Sequence, residues 1–245
     1  MSQKEEPKDK VFNKPGPVGD FRFGANVVQV FDDMVTRSVP FYVEFQRMIT
    51  EMAADFAVEN TSVYDLGCST GTTLVNINQV VSPKVKFVGI DDSPEMLEKC
   101  RKNFENAGFT RDYELLATDL NKGVRIDNAS LVVMCLTLQF IRPLYRERLV
   151  SDIFRQLNDN GCFLLVEKVL GEDSLFNRLF IKYYYDMKRR NNYSEMEISQ
   201  KREALENVLI PYKLNENREL LLHTGFRYVE VFFKWYNFCG IVAVK

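Results

Sequence analysis

Val63-Tyr64-Asp65-Leu66-Gly67-Cys68-Ser69-Thr70-Gly71 is the first stretch whose residue types and spacing could do chemistry. An apolar run passes through an acid into a turn bearing two glycines. A second apolar run, Val85–Ile90, ends on Asp91, twenty residues after Gly71. Gly67 lets the backbone come close to a ligand, and Gly71 lets the next helix pack against the sheet. Asp91 stands where a carboxylate accepts hydrogen bonds from ribose hydroxyls. A dinucleotide site would read Gly-x-Gly-x-x-Gly and hold a pyrophosphate at the helix N-terminus. Here the spacing is Asp-x-Gly-x-x-x-Gly, and an acid two residues before the first glycine repels phosphate and attracts a cation. The ligand expected is a nucleoside carrying positive charge. An ordinary strand–helix turn of an α/β protein would also use such glycines, so the motif stands as a hypothesis.

Three other positions have chemical content. Tyr42 opens an amphipathic stretch and is either a half-buried core tyrosine or a hydroxyl aimed at a polar partner. Asp119, with Leu120, follows the third strand, where it either meets an adenine amino group or caps the next turn. Arg202 lies four residues beyond Ile198, on a stripe shared with Leu205, Val208 and Leu209. A guanidinium there either snorkels, pairs with a glutamate, or grips a ligand carboxylate through its planar fork. A single histidine, His223, and five cysteines without paired spacing make a zinc site improbable.

The elements that must position these residues alternate in type. Helical spacing marks Val27–Val35 and, after Pro40, Phe41–Phe56, two helices expected to cover a sheet face or lid the pocket. Thr72–Gln79 is helical, and Ser93-Pro94 starts a helix that stops at Gly108. Strands are expected at Val63–Leu66, Val85–Ile90, Tyr113–Thr118, Ala129–Thr137 and Cys162–Lys168, with a helix over Arg142–Leu157 and a turn at Asn158–Gly161. Tyr228–Lys234 and Phe238–Val244, joined by a short link, form an antiparallel hairpin at the sheet edge. A helical insertion spans 171–212, with a capping box at Ser194 and Glu197. The reading is one α/β domain over 20–245, preceded by a Lys-, Glu- and Pro-rich tail at 1–19 expected to fray.

Bulk numbers limit the partners. With 32 basic and 34 acidic residues among 245, the net charge of −2 supplies no field for nucleic acid, so direct binding of RNA or DNA is not expected. Lys188-Arg189-Arg190 reads as a solvated helix face. No apolar run reaches membrane-span length, Met1–Lys14 is too polar for a signal sequence, and the scattered cysteines point to a reducing cytoplasm.

Taken together, five segments are similar to one family. They are Arg37-Ser38-Val39-Pro40 with Tyr42, Asp65-Leu66-Gly67-Cys68-Ser69, Ile90-Asp91-Asp92-Ser93-Pro94, Leu136-Thr137-Leu138-Gln139-Phe140, and Tyr193-Ser194 through Ile198-Ser199-Gln200-Lys201-Arg202 with Leu205-Glu206-Asn207-Val208. The glycine turn resembles the first motif of S-adenosylmethionine-dependent methyltransferases. The whole set, from Phe21 to the C-terminus, resembles the carboxy-S-adenosyl-L-methionine synthases of bacterial tRNA wobble-uridine modification.

The resemblance implies a Rossmann-like class I methyltransferase sandwich, with a mostly parallel seven-stranded sheet and an antiparallel C-terminal hairpin. It implies conversion of S-adenosyl-L-methionine and prephenate to carboxy-S-adenosyl-L-methionine and phenylpyruvate, without a metal. A separate transferase uses that product to build the 5-oxyacetyl group on uridine 34 of tRNA. By the same resemblance Gly67, Cys68 and Ser69 line the methionine part, Asp91 holds the ribose with Asp92 beside it, and Asp119-Leu120 lie at the adenine. Tyr42, Cys135 and Arg202 contact the ligand, the arginine reaching the new carboxylate from the neighbouring subunit of a homodimer. One residue departs from the pattern: Cys135 stands where the family has asparagine, and a thiol does not replace the donor–acceptor pair of an amide. An ordinary methyltransferase acting on a small molecule or tRNA, and a non-catalytic ligand-binding relative, are the competing readings.

Overall fold

A computed structural model describes residues 8–16 and 19–245. Seven strands form one sheet in the order β3-β2-β1-β4-β5-β7-β6. They are β1 (Ser62–Leu66), β2 (Lys86–Asp91), β3 (Tyr113–Ala117), β4 (Ala129–Cys135), β5 (Leu157–Lys168), β6 (Tyr228–Trp235) and β7 (Phe238–Val244). β1 to β5 pair in parallel, while β7 runs antiparallel between β5 and β6. The order reverses between β1 and β4, which opens a crevice at the C-terminal ends of the strands.

Helices cover both faces, which is why the central strands are apolar almost throughout. On one face α3 (Tyr42–Phe56), α4 (Thr72–Ile77), α5 (Pro94–Asn106) and α7 (Ser174–Arg190) bury Phe45, Ile49, Leu74, Phe104 and Met187 against Val63, Phe87, Val133 and Val166. On the other, α6 (Pro143–Gln156) and α9 (Leu214–Thr224) bury Leu149, Ile153 and Leu221 against Leu66, Ile90, Val132 and Leu165. Alternation along each strand sends neighbours to opposite faces. Asp65 therefore shares the α3 side with Val63.

The local signals explain the helix starts. Ser93 accepts the Met96 N–H at 3.2 Å with Pro94 at the first helical position, and α8 (Glu195–Leu205) opens on both halves of the Ser194–Glu197 capping box. Several boundaries differ from expectation: the helix expected over Val27–Val35 is two, Ala25–Val28 and Phe31–Ser38, and β4 ends at Cys135 rather than Thr137. α4 ends at Ile77 rather than Gln79. The turn expected at Asn158–Gly161 is absorbed into β5, which pairs Leu157 with Ala129 before a register shift, with Asn160 taking a positive φ of 60°.

A third apolar cluster forms a cap over the crevice. Phe21, Val27, Val28 and Met34 from the N-terminal segment, α1 (Ala25–Val28) and α2 (Phe31–Ser38) pack with Met96 and with Ala204 of α8. Of the tail expected over 1–19, residues 1–7 and 17–18 lie outside the described residues. Residues 8–16 form neither helix nor strand, yet Asp9 is buried. Its backbone N–H donates to Asp33 Oδ2 at 2.6 Å, and its carboxylate accepts the Tyr193 hydroxyl at 2.7 Å. Tertiary contacts order this segment where local propensity does not.

Candidate active site

The crevice holds a cavity of about 940 Å³, lined by all ten residues singled out from the sequence. The turn after β1 forms its floor. Gly67, Ser69 and Gly71 take positive φ values of 86°, 48° and 83°, and Gly67 and Cys68 donate their N–H groups to Ile90 O at 2.7 and 2.9 Å. A Cβ on Gly67 would collide with the Thr137 side chain, so only glycine fits there. The Cys68 thiol is buried and packs toward Cys100 and Gly89, leaving its backbone for the cavity.

Asp91 is held in place by the turn it faces. Its Oδ2 accepts the Ser69 N–H at 3.0 Å and its Oδ1 the Ser93 N–H at 2.9 Å, while burial raises its pKa. Each oxygen keeps a lone pair for a ribose diol. Asp92 is exposed beside it, with its pKa raised by partial desolvation at the cavity wall and then by Asp119. Asp119 does cap the turn that starts at Leu120, accepting from the Asn121 N–H and side-chain amide at 2.9 Å each. It also borders the cavity, as does Leu120, so capping and ligand contact are compatible.

Deeper in lies a polar pocket. Gln46 Nε2 donates to Thr73 Oγ1 at 3.1 Å, to the Tyr42 hydroxyl at 3.4 Å and toward Cys135 Sγ at 3.7 Å. Burial raises the pKa of both Tyr42 and Cys135. The thiol thus occupies a place beside the Gln46 amide, and local hydrogen bonding runs through glutamine rather than through residue 135. Gln46 Oε1 and both oxygens of Asp65 are buried with no hydrogen-bond partner. Burial, then the nearby Asp91, pushes Asp65 up to about 7. Three orphaned acceptors match the three donors of a primary ammonium, and they fit the cationic amino acid end of S-adenosylmethionine.

The opposite wall was not anticipated. Lys168 at the end of β5, Lys188 in the last turn of α7 and Lys201 in α8 all border the cavity. Lys188, read from sequence as part of a solvated face, is only 5% exposed; this is a correction. It falls four residues after the buried Tyr184, a helical spacing that carried the signal. α8 is likewise turned from expectation: Ile198, Lys201 and Ala204 are buried, so the stripe runs at spacing three and Arg202 is exposed at the cavity rim. His223 is not among the cavity residues, and no group of three His, Cys, Asp or Glu side chains among the described residues is arranged to hold a metal.

Comparison with known proteins identifies the fold and the family. Residues 63–161 match the family model described as a methyltransferase domain. A carboxy-S-adenosyl-L-methionine synthase from Methylococcus capsulatus is 63% identical over 92% of this chain and 94% of its own length. The chain belongs to the carboxy-S-adenosyl-L-methionine synthase family. The synthase from Desulfotalea psychrophila is 44% identical over 98% of both chains. Among solved structures, an O-methyltransferase family protein from Burkholderia thailandensis superposes with a TM-score of 0.64 at 15% identity. That match covers 90% of this chain and 60% of the other, so the chain spans about six-tenths of that methyltransferase. The likeness concerns the fold alone, the class I methyltransferase sandwich that this synthase family shares.

Proposed function

We propose that the chain converts S-adenosyl-L-methionine and prephenate to carboxy-S-adenosyl-L-methionine and phenylpyruvate, in the cytoplasm and without a metal. The observation that carries the reading is that a single cavity has a carboxylate-lined end and a lysine-lined end. A methyl donor alone needs only the first. Asp91 takes the ribose diol, the Asp119-Leu120 turn meets the adenine, and Asp65 with Gln46 receives the ammonium. Gly67, Cys68 and Ser69 present backbone to the methionine, with Tyr42 and Cys135 beside it.

A sulfonium acidifies the hydrogens of its methyl carbon, and prephenate on aromatising releases carbon dioxide and its ring hydroxyl. The methyl proton leaves with that hydroxyl as water, and the methyl carbon bonds the carbon dioxide. Protein groups then have three tasks. The capped cavity keeps bulk water from the transfer. Tyr42 and the Gly67–Ser69 backbone orient the methyl group. Arg202 stabilises the carboxylate as it forms, through a fixed fork of donors. The product is expected to serve a separate transferase that modifies uridine 34 of tRNA.

The test is incubation with both substrates and mass analysis of the nucleoside. A species heavier than S-adenosylmethionine by one carboxyl group is expected, and Arg202→Ala is expected to lower its kcat/KM by about 100-fold, a loss of ~3 kcal/mol of transition-state stabilisation. S-adenosylhomocysteine as the sole product would sink the reading in favour of ordinary methyl transfer. An Arg202→Ala enzyme with the parental rate would remove the arginine from it.

A further inference from the structure

Buried lysines are uncommon unless they are paired, because an ammonium out of water is costly. Two of them, Lys188 and Lys201, border one end of this cavity together with the half-buried Lys168, and their surroundings differ. Lys201 has a carboxylate, Asp9 Oδ2, at 4.0 Å and the Ser38 hydroxyl at 3.4 Å. Lys168 and Lys188 make no ion pair among the described residues. Both ammonium groups instead stand within 5.1 Å of the centre of one aromatic ring, Tyr184. Their neighbours increase the difficulty. Burial lowers Lys168 to about 8, and burial with the charges of Lys201 and Lys168 takes Lys188 well below the usual lysine value, against a weaker opposing pull from Asp9. Glu167, next to Lys168 in sequence, points to the other face of the sheet and accepts the Leu138 N–H at 3.0 Å. It does not neutralise the pair.

Position makes these lysines functional. Lys168 ends β5, whereas Asp91 ends β2, and β1 and β4 lie between them in the sheet. Three strand spacings separate the two ends by about 14 Å. A nucleoside–amino acid ligand seated on Asp91, Asp65 and Gln46 leaves the β5 end of the cavity free. That end also carries apolar surface, from Tyr184, Tyr185 and Phe238. Two lysines without an ion pair among the described residues, beside aromatic surface, describe a ligand with two negative charges on a compact apolar frame.

We propose that Lys168 and Lys188, set against the ring of Tyr184, form the subsite for the second substrate, and that this subsite selects a small cyclic dicarboxylate. Tyr184 holds the two ammonium groups over its ring, the half-buried Tyr185 offers the ligand ring a surface, and each lysine takes one carboxylate. The identity of that dicarboxylate as prephenate rests on the reaction proposed above; the subsite itself rests on the lysines. Binding restores full charge to both ammonium groups, so the ligand is taken up together with protons.

The experiment is calorimetric titration of the full chain with prephenate at pH 8, saturated with S-adenosylhomocysteine to prevent turnover, in two buffers of different ionisation enthalpy. The parental protein is expected to bind with net proton uptake. Lys168→Met and Lys188→Met are each expected to weaken prephenate at least tenfold and reduce the uptake. Affinity for S-adenosylmethionine should stay within twofold, and thermal stability should be equal or higher. Lys→Gln versions keep a polar head should the methionine versions not fold, and carry the same expectation. Variants that bind prephenate within twofold of the parental protein overturn the subsite. If the parental chain binds prephenate through these lysines but makes no carboxylated nucleoside, the reaction falls and the subsite stands. If it does not bind prephenate at all, both fall.

Discussion

At the scale of single residues, Asp65 is under opposing demands. Its carboxyl is buried without a partner and is raised from the usual carboxylate range to about 7. A group whose pKa is higher in the folded state favours folding at low pH and loses that contribution as pH rises through the folded value. Ligand-free protein is therefore expected to lose stability as pH rises from 4 toward 8, and Asp65→Asn to remove part of that slope, the buried Glu167, raised to about 8, supplying another part. At pH 8 the variant should be more stable by about 1–3 kcal/mol, because an amide is cheaper to bury than a carboxylate. The same change should weaken S-adenosylmethionine by about 1–3 kcal/mol, through loss of a charge-assisted hydrogen bond. Melting curves across pH and a calorimetric titration at pH 8 check both signs. If stability and affinity move together, Asp65 has no ligand role. Asp65, the glycine turn and Asp91 were legible in the sequence because they lie close along the chain and their spacing encodes geometry. Lys188 was not: a basic triplet at a helix end reads the same whether it faces water or a cavity, and only the packing of α7 on the sheet decides.

At the scale of elements, the strands, most helices and the closing hairpin were legible from periodicity and caps, whereas the cap over the crevice was not. Residues 8–16 have weak local preference and read as tail, and α8 was rotated by one residue because Arg202 and Lys201 are neighbours of like charge. What orders both is Asp9, which bonds Tyr193 and lies beside Lys201. Phe21 adds a backbone bond from its N–H to Ala204 O at 2.9 Å. Asp9→Ala leaves Lys201 buried without a carboxylate and is expected to cost about 2–4 kcal/mol at pH 7, lowering Tm by roughly 5–10 °C. Burial already depresses Lys201 to about 8, so stability from this group rises with pH toward the ordinary lysine range. The deficit of the variant should accordingly be larger at pH 7 than at pH 9.5, as melting curves would show. A deficit independent of pH would mean that Asp9 acts through Tyr193 and Asp33 alone.

At the scale of the whole molecule, we propose a homodimer in which Arg202 serves the neighbouring site, the arrangement that resemblance to the synthases implies. The exposed guanidinium also borders the cavity of its own chain, so its site of action is a matter for mixed dimers. Arg202→Ala and Asp91→Ala chains, each inactive alone, can be co-expressed and assayed together. Action across the interface restores about a quarter of parental activity, since half of randomly paired dimers then hold one intact site of two. Action within the chain restores none. The arrangement of charge has a further consequence. Acids at the β2 and β3 ends and lysines at the β5 end give the crevice a polarity along the edge of the sheet. Burial keeps the lysines below their usual value, so an arriving anion completes that polarity itself, and two ligands of opposite charge do not compete for one place. The electric asymmetry of the sheet edge, as much as any single side chain, brings a methyl carbon and a departing carboxyl group to face each other.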